Sequence, residues 1–291
     1  LYAYLCTSII KKENILNNFI KRTLTGIIFV GILLGAILYN AYSFAILFCI
    51  ITGFTLWELY GLLKHYENAT LRRLISTAGG MYLFFSCFMK AQGFAGEEIF
   101  FPYLLFIMYA LISELYTKAP NPINNWAFTF LAQIYCAGSF SLLNFISIQQ
   151  DPATTSKVYV PLYILAIFIF VWLNDTGAFL VGSQIGKRRL FERISPKKSW
   201  EGFWGGLIVV LLASQGFAWY APEISRIQWL GLAAVVVLFA TWGDLTESLL
   251  KRTLGVKDSG NLLPGHGGIL DRFDSVIITA PIIYYMAIVL M

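Results

Sequence analysis

Residues 159–182 read YVPLYILAIFIFVWLNDTGAFLVG, and this stretch decides the class of fold. Twelve apolar residues follow one another from Leu162 to Leu173 before Asn174, Asp175 and Thr176 interrupt them. A bilayer core needs about 20 residues of helix, so the run is read as a membrane span. A carboxylate at its end is costly there unless a metal, a cation or a water-filled cavity meets it. Asp175 is therefore a candidate site residue, the alternative being a hydrogen-bonded cluster within a helical bundle.

Working outward, eight further apolar runs have comparable length: 23–39, 43–63, 74–89, 99–116, 126–148, 203–221, 228–242 and 275–291. The composition agrees, at 58% hydrophobic and 13% charged residues, against roughly 45–50% and about 25% in an ordinary soluble domain. The expected fold is all-α, a polytopic integral membrane helical bundle of about nine transmembrane helices. The net charge of +5 then points to anionic lipid and anionic substrates, with no nucleic-acid partner.

Placing the N-terminus in the cytoplasm puts eighteen of the 21 Lys and Arg residues on one side, leaving only Lys90, Lys157 and Arg226 opposite. Cytoplasmic loops hold the positive excess, so nine spans, a cytoplasmic N-terminus and an outer C-terminus are predicted. Residues 1–22 read as a cytoplasmic tail, 23–157 as a scaffold of about five helices, and 158–291 as a catalytic region with its site on the cytoplasmic face. For a bacterial chain the location would be the inner or plasma membrane.

Several features carry no chemistry in this reading. Cys6, Cys49, Cys87 and Cys136 lack metal-ligand spacing and are read as packing residues. Asn68-Ala69-Thr70 matches a glycosylation acceptor but falls in a cytoplasmic loop. Glu58 and Glu114, near the cytoplasmic ends of their spans, are read as interfacial or structural. Gly79-Gly80 would permit close helix approach. The first five helices are expected to supply scaffold, lipid-facing wall or a homodimer contact.

Polar residues concentrate instead in three places. The end of the sixth run carries Asn174-Asp175-Thr176. The loop 183–202 is the most basic segment, and within it Ser195-Pro196-Lys197-Lys198-Ser199 suits a polyanion, with Ser199 and Glu201 placed to start the next helix. The third place, residues 248–274, reads SLLKRTLGVKDSGNLLPGHGGILDRFD. If the helix before it continues, Asp244, Glu247, Ser248 and Lys251 share one face. Carboxylates suit a hard divalent metal, while cations and bare backbone amides suit phosphates. Asp271 is read as the stronger metal candidate and Asp274 as the weaker, since Asp274 could simply cap the last helix. His266 reads equally as a catalytic base or as a residue that contacts phosphate or orders its loop.

The third block, with Ser248, Lys251-Arg252, Lys257-Asp258, Gly260, Leu263-Pro264, His266-Gly267-Gly268 and Asp271-Arg272-Phe273-Asp274, resembles the C-terminal signature of the phosphatidate cytidylyltransferases, or CDP-diacylglycerol synthases. The stretches 172–178 and 195–202 resemble that family's other conserved blocks, so the resemblance covers roughly the C-terminal half. It implies CTP and phosphatidate as substrates and transfer of a cytidylyl group at a bilayer. Together the two readings predict Asp244, Asp271 and Asp175 as ligands of Mg²⁺, with room for a second cation, and Lys251 and His266 beside them in the catalytic set. They predict Ser195, Lys197, Lys198, Ser248, Arg252, Lys257, Gly267, Gly268 and Arg272 as substrate contacts. A CTP-dependent polyprenol or lipid kinase is the rival enzyme, and a secondary transporter the rival without catalysis, although the halves show no internal repeat.

Overall fold

The computed structural model describes residues 23–64, 66, 69–151, 154–263, 265 and 267–290. The tail 1–22, Asn68 of the glycosylation acceptor, Pro264 and His266 lie outside the described residues.

Helix α1 (Thr23–Tyr39) is separated from α2 (Ala41–Leu63) by Asn40 alone. Asn40 Oδ1 accepts from the Ser43 amide at 2.8 Å while the Ser43 hydroxyl accepts from the Asn40 amide at 3.1 Å. This reciprocal cap satisfies two amides that have no partner within the helix. Helix α3 (Arg73–Gln92) ends on Gly93, whose φ of 76° a residue with a Cβ rarely adopts. A fourth apolar stretch, Glu97–Tyr116, contains α4 (Phe101–Ile112), none of whose residues is buried. It forms an outer wall.

The fifth stretch, Pro122–Ser147, is one continuous rod. Helices α5 (Pro122–Ala132) and α6 (Ser139–Ser147) are joined by a wide π-type turn, Gln133–Gly138. The extra residue in that turn re-aims Gln133, whose amide donates to Tyr60 Oη at 2.9 Å and to the Ser76 carbonyl at 2.7 Å. A buried amide is thereby satisfied by α2 and α3 together. Gly79 and Gly80 do face close neighbours: a Cβ at Gly79 would lie 2.8 Å from the Phe106 ring.

The second half is built from α7 (Leu162–Ile185), α8 (Trp200–Tyr220), α9 (Arg226–Thr253) and α10 (Leu270–Leu290). Two short antiparallel hairpins join the helices, β1 (Ile148–Gln150) with β2 (Lys157–Tyr159) and β3 (Arg189–Phe191) with β4 (Ser195–Ser199). The second pair was not expected from the basic loop. Helices α7 and α8 approach through Gly177 and Gly206, a Cβ at Gly177 lying 3.1 Å from Gly206 Cα. Without a solvophobic force between helices in lipid, such contacts rest on close packing of small residues.

Among the described residues, seven helical stretches are long and apolar enough to cross a membrane, and Thr23–Tyr39 is a shorter apolar helix. Ile27, Ile32, Ile46, Leu104, Phe179, Leu212 and Trp219 are among many exposed large apolar side chains on these helices. An exterior of that kind suits hydrocarbon, and the helices satisfy their own backbone groups as lipid requires. The interior is tied together at Phe273, fully buried at the start of α10. Its ring meets Phe29, Phe48, Phe140 and Phe168 at centroid distances of 5.9, 6.2, 5.7 and 6.0 Å. One residue thus packs α10 against α1, α2, α6 and α7, fixing the height of Asp271 and Asp274 on either side of it.

Candidate functional site

The polar residues gather where α7 and α9 end and where α8 and α10 begin, so all four helices present one face of the bundle to them. Two clusters form there, and they differ in openness.

The first surrounds a cavity of about 290 Å³ lined by Asn174, Asp175, Lys197, Lys198, Ser199, Thr241 and Asp244 among others. Its geometry has local causes. Ser199 caps α8, its hydroxyl accepting from the Gly202 amide at 3.1 Å. Glu201 accepts from the Lys187 amide at 3.0 Å and from the Arg188 amide at 3.2 Å. The helix N-terminus and the hairpin are therefore locked together, and β4 carries Lys197 and Lys198 to the rim. Helix α9 continues for three turns past the apolar run, as the shared-face reading required. Lys198 forms an ion pair with Asp244, both side chains about one third exposed, and Ser248 Oγ donates to Asp244 Oδ1 at 3.2 Å. On the floor, Asn174 Nδ2 reaches Thr241 Oγ1 at 3.4 Å while its Oδ1 finds no partner among the described residues.

Asp274 stands close behind. Gly243 lets α10 come against α9, since a Cβ there would lie 2.8 Å from the Asp274 carbonyl. Asp175, Asp244 and Asp274 fall within electrostatic range of one another and of Lys198. Such a convergence of carboxylates, partly open and backed by cations, suits a divalent ion brought in with a polyphosphate. Among the described residues no three Asp, Glu, His or Cys side chains make a metal cage by themselves. The donor set would fit a hard cation only if its remaining ligands came from substrate and water.

The second cluster is closed. Lys251 forms ion pairs with Glu247, which has no exposed side-chain surface, and with Asp271, whose Oδ1 lies 2.6 Å from Lys251 Nζ. Asp271 Oδ2 accepts from the Ser259 amide at 2.9 Å and from the Gly268 amide at 3.0 Å. Of the expected ligands Asp175, Asp244 and Asp271, the first two line the cavity, while Asp271 is engaged by Lys251 and the loop. Asp271 directs its oxygens at Lys251 and two loop amides, and Asp274 is the carboxylate beside Asp244. Lys251 likewise spends its charge on two acids rather than at the cavity.

The remaining predicted contacts surround these clusters. Ser195 opens β4 and is half-buried. Arg252 is exposed, donating to the Val256 carbonyl at 3.3 Å, and Lys257 and Arg272 are exposed on the same face. Gly267 has a φ of 83° and its carbonyl accepts from the Leu263 amide at 3.0 Å, closing the glycine loop on itself. Glu58 of α2 reaches into this loop, accepting from Ser259 Oγ and from the Leu270 amide. The sequence reads Glu58 as an interfacial or structural acid. Its signal was a carboxylate inside an apolar span, but its partners lie some 200 residues further on.

These features define a helical bundle with an apolar exterior suited to a membrane and a cluster of carboxylates and cations at one end. The cytidylyltransferase family profile matches residues 20–290, and the chain belongs to that family. It is 34% identical over 277 residues, 91% of this chain and 96% of the relative, to the phosphatidate cytidylyltransferase of Bacillus subtilis. It is 35% identical to that of Staphylococcus haemolyticus over 92% of this chain and 98% of the relative. The Haemophilus influenzae phosphatidate cytidylyltransferase is 29% identical over 91% of this chain and 97% of its own length.

Proposed function

We propose that this chain condenses CTP with phosphatidate in the bilayer, giving CDP-diacylglycerol and pyrophosphate. A phosphate oxygen of phosphatidate attacks the α-phosphorus of CTP; the new P–O bond forms as the bond to the β-phosphate oxygen breaks, and pyrophosphate leaves with that electron pair. The observation that carries the reading is the single cavity in which Asp175, Lys198 and Asp244 meet with Lys197 at its rim. Its support from outside the site is the name carried by relatives that match nine-tenths of the chain.

In this reading Lys197 and Lys198 take the triphosphate, and the Lys198–Asp244 pair divides as the lysine turns to phosphate. Asp175 and Asp244 would hold Mg²⁺, with Asp274 in reach, and a second cation has room beside them. When bound, the metal neutralises the triphosphate and the developing pyrophosphate charge. Arg252, Lys257 and Arg272 extend the positive rim, and Gly267-Gly268 let the backbone of the loop come close to it. Asp271 and Lys251 hold the loop that carries those groups. The chain's own work is positioning and charge compensation, with no protein nucleophile required.

The placement of Lys and Arg supports nine spans with the site facing the cytoplasm, where nucleotide is available. Residues 158–291 would then be the catalytic region and 23–157 its scaffold. A homodimer contact on the outer wall is compatible with the exposed face of Glu97–Tyr116. Purified protein in mixed micelles with phosphatidate, Mg²⁺ and CTP labelled at the α- or γ-phosphorus tests the reaction. Label from the α-position alone should enter the lipid and should stop on chelation. Label from the γ-position, in phosphatidate or in an added polyprenol, would make the chain a kinase; no label in either lipid would overturn the transferase reading.

A further inference from the structure

Glu58 lies in the last two turns of α2, in the half of the chain that supplies scaffold, and only 8% of it is exposed. Its Oε2 accepts from Ser259 Oγ at 3.1 Å and from the Leu270 amide at 2.9 Å. Ser259 stands part-way along the connection between α9 and α10 and Leu270 is the first residue of α10, so one oxygen atom holds that connection at two separate points. Oε1 is buried with no hydrogen-bond partner among the described residues. A buried carboxylate with an idle oxygen is costly, and its retention calls for a use.

The loop is shaped around this carboxylate. A Cβ at Gly260 would lie 2.6 Å from Glu58 Oε1, and one at Gly268 would overlap both Ser259 Oγ and the Glu58 carboxylate. Two glycines of the loop therefore owe their smallness to a side chain from another part of the chain. Ser259 is held twice, its hydroxyl by Glu58 and its amide by Asp271. The Leu270 amide is one of the free donors at the start of α10, where a negative charge is favoured by the helix dipole. Arg73 of α3 is near enough to Glu58 to interact with it electrostatically.

We propose that Glu58 is a positioning residue for nucleotide: it holds the segment between Ser259 and Leu270 at both of its ends, and so sets Lys257 just before it and Arg272 just after it at the height at which they meet the triphosphate. The kinetic part of this inference rests on the cytidylyltransferase reading; the structural part does not. Its ligand class is the triphosphate of a nucleoside, reached through the loop rather than touched by Glu58 itself.

The test uses the full chain in nanodiscs with Glu58→Ala, Glu58→Gln, Ser259→Ala and the Glu58→Ala/Ser259→Ala double variant. Amide hydrogen exchange is read across 255–275, together with KM and kcat for CTP and KM for phosphatidate. Glu58→Ala should lose protection at the Leu270 amide and raise KM for CTP about tenfold or more, leaving KM for phosphatidate within about twofold. Glu58→Gln keeps an acceptor oxygen and should recover most of the loss, and the double variant should be no worse than Glu58→Ala. Loss of folded protein alone would lower kcat without moving KM for CTP. Unchanged exchange at Leu270, or an unchanged KM for CTP in Glu58→Ala, would overturn the proposal. Should the wild type transfer no cytidylyl group, the exchange experiment still decides the clamp, so failure of the reaction and failure of the clamp give different results.

Discussion

Two lysines a short distance apart at the same end of the bundle are treated differently. Lys198 pairs with Asp244 at the rim of a cavity, with 28% and 31% of the two side chains exposed. Lys251 pairs with Glu247 and Asp271, and the exposures are 12%, 0% and 5%. The same chemical pairing thus serves two ends. An ion pair that solvent and ligand can reach exchanges partners at little cost, whereas a buried one cannot be broken without stranding a charge. In the proposed reading, openness, rather than residue type, separates the groups that meet substrate from those that hold the loop.

The largest effects should therefore split along that line. Replacing Asp175 or Asp244 by Asn should lower cytidylyl transfer by about 10²–10³-fold or more, the scale of losing one electrostatic contact to the transition state, with the amount of folded protein retained. Initial rates normalised to folded protein by size exclusion check this. Next, Lys251→Met should cost about 3–5 kcal/mol of stability, because Glu247 and Asp271 are left buried without their cation. Lys198→Met should cost only about 0–1 kcal/mol while still impairing turnover. Thermal unfolding of the two variants side by side would break the comparison if Lys251→Met melted like the wild type.

Gly243→Ala should come third. A Cβ there meets the Asp274 carbonyl at 2.8 Å and Ser275 Cα at 3.1 Å, so α10 must shift at a cost of about 1–3 kcal/mol. Activity should fall with stability, since Asp244 and Asp274 move apart, and unfolding together with label transfer on the same sample measures both. The smallest effect is expected at Lys197, exposed at the rim. Lys197→Ala should raise KM for CTP about fivefold, equivalent to ~1 kcal/mol, and the increase should shrink at high salt.

Much of the fold is legible from apolar length, because a membrane span is a property of consecutive residues and depends on no distant partner. The stretches 23–39, 43–63 and 159–182 fall on α1, α2 and α7 within a few residues for that reason. Hairpin β3–β4 is not legible: Pro196 and a run of cations show no alternation, and the strands form because Glu201 and Ser199 pin the loop to α8. The polar residues of the site are legible as types, since charge in an apolar chain stands out. Their division of labour is not. Whether Asp271 or Asp274 faces Asp244 depends on Lys251, on two loop amides and on the packing of Phe273, none of which spacing along the chain encodes. Glu58 shows the same limit most sharply, with partners in a loop that follows it by some 200 residues.

The central claim is that the open cluster, and not the closed one, meets the nucleotide. It is tested most directly by the rate at which Asp244→Asn transfers α-labelled cytidylyl groups to phosphatidate, measured on protein whose unfolding matches the wild type. The account predicts label at background with an unchanged melting transition. Transfer near the wild-type rate by such a well-folded variant would contradict it.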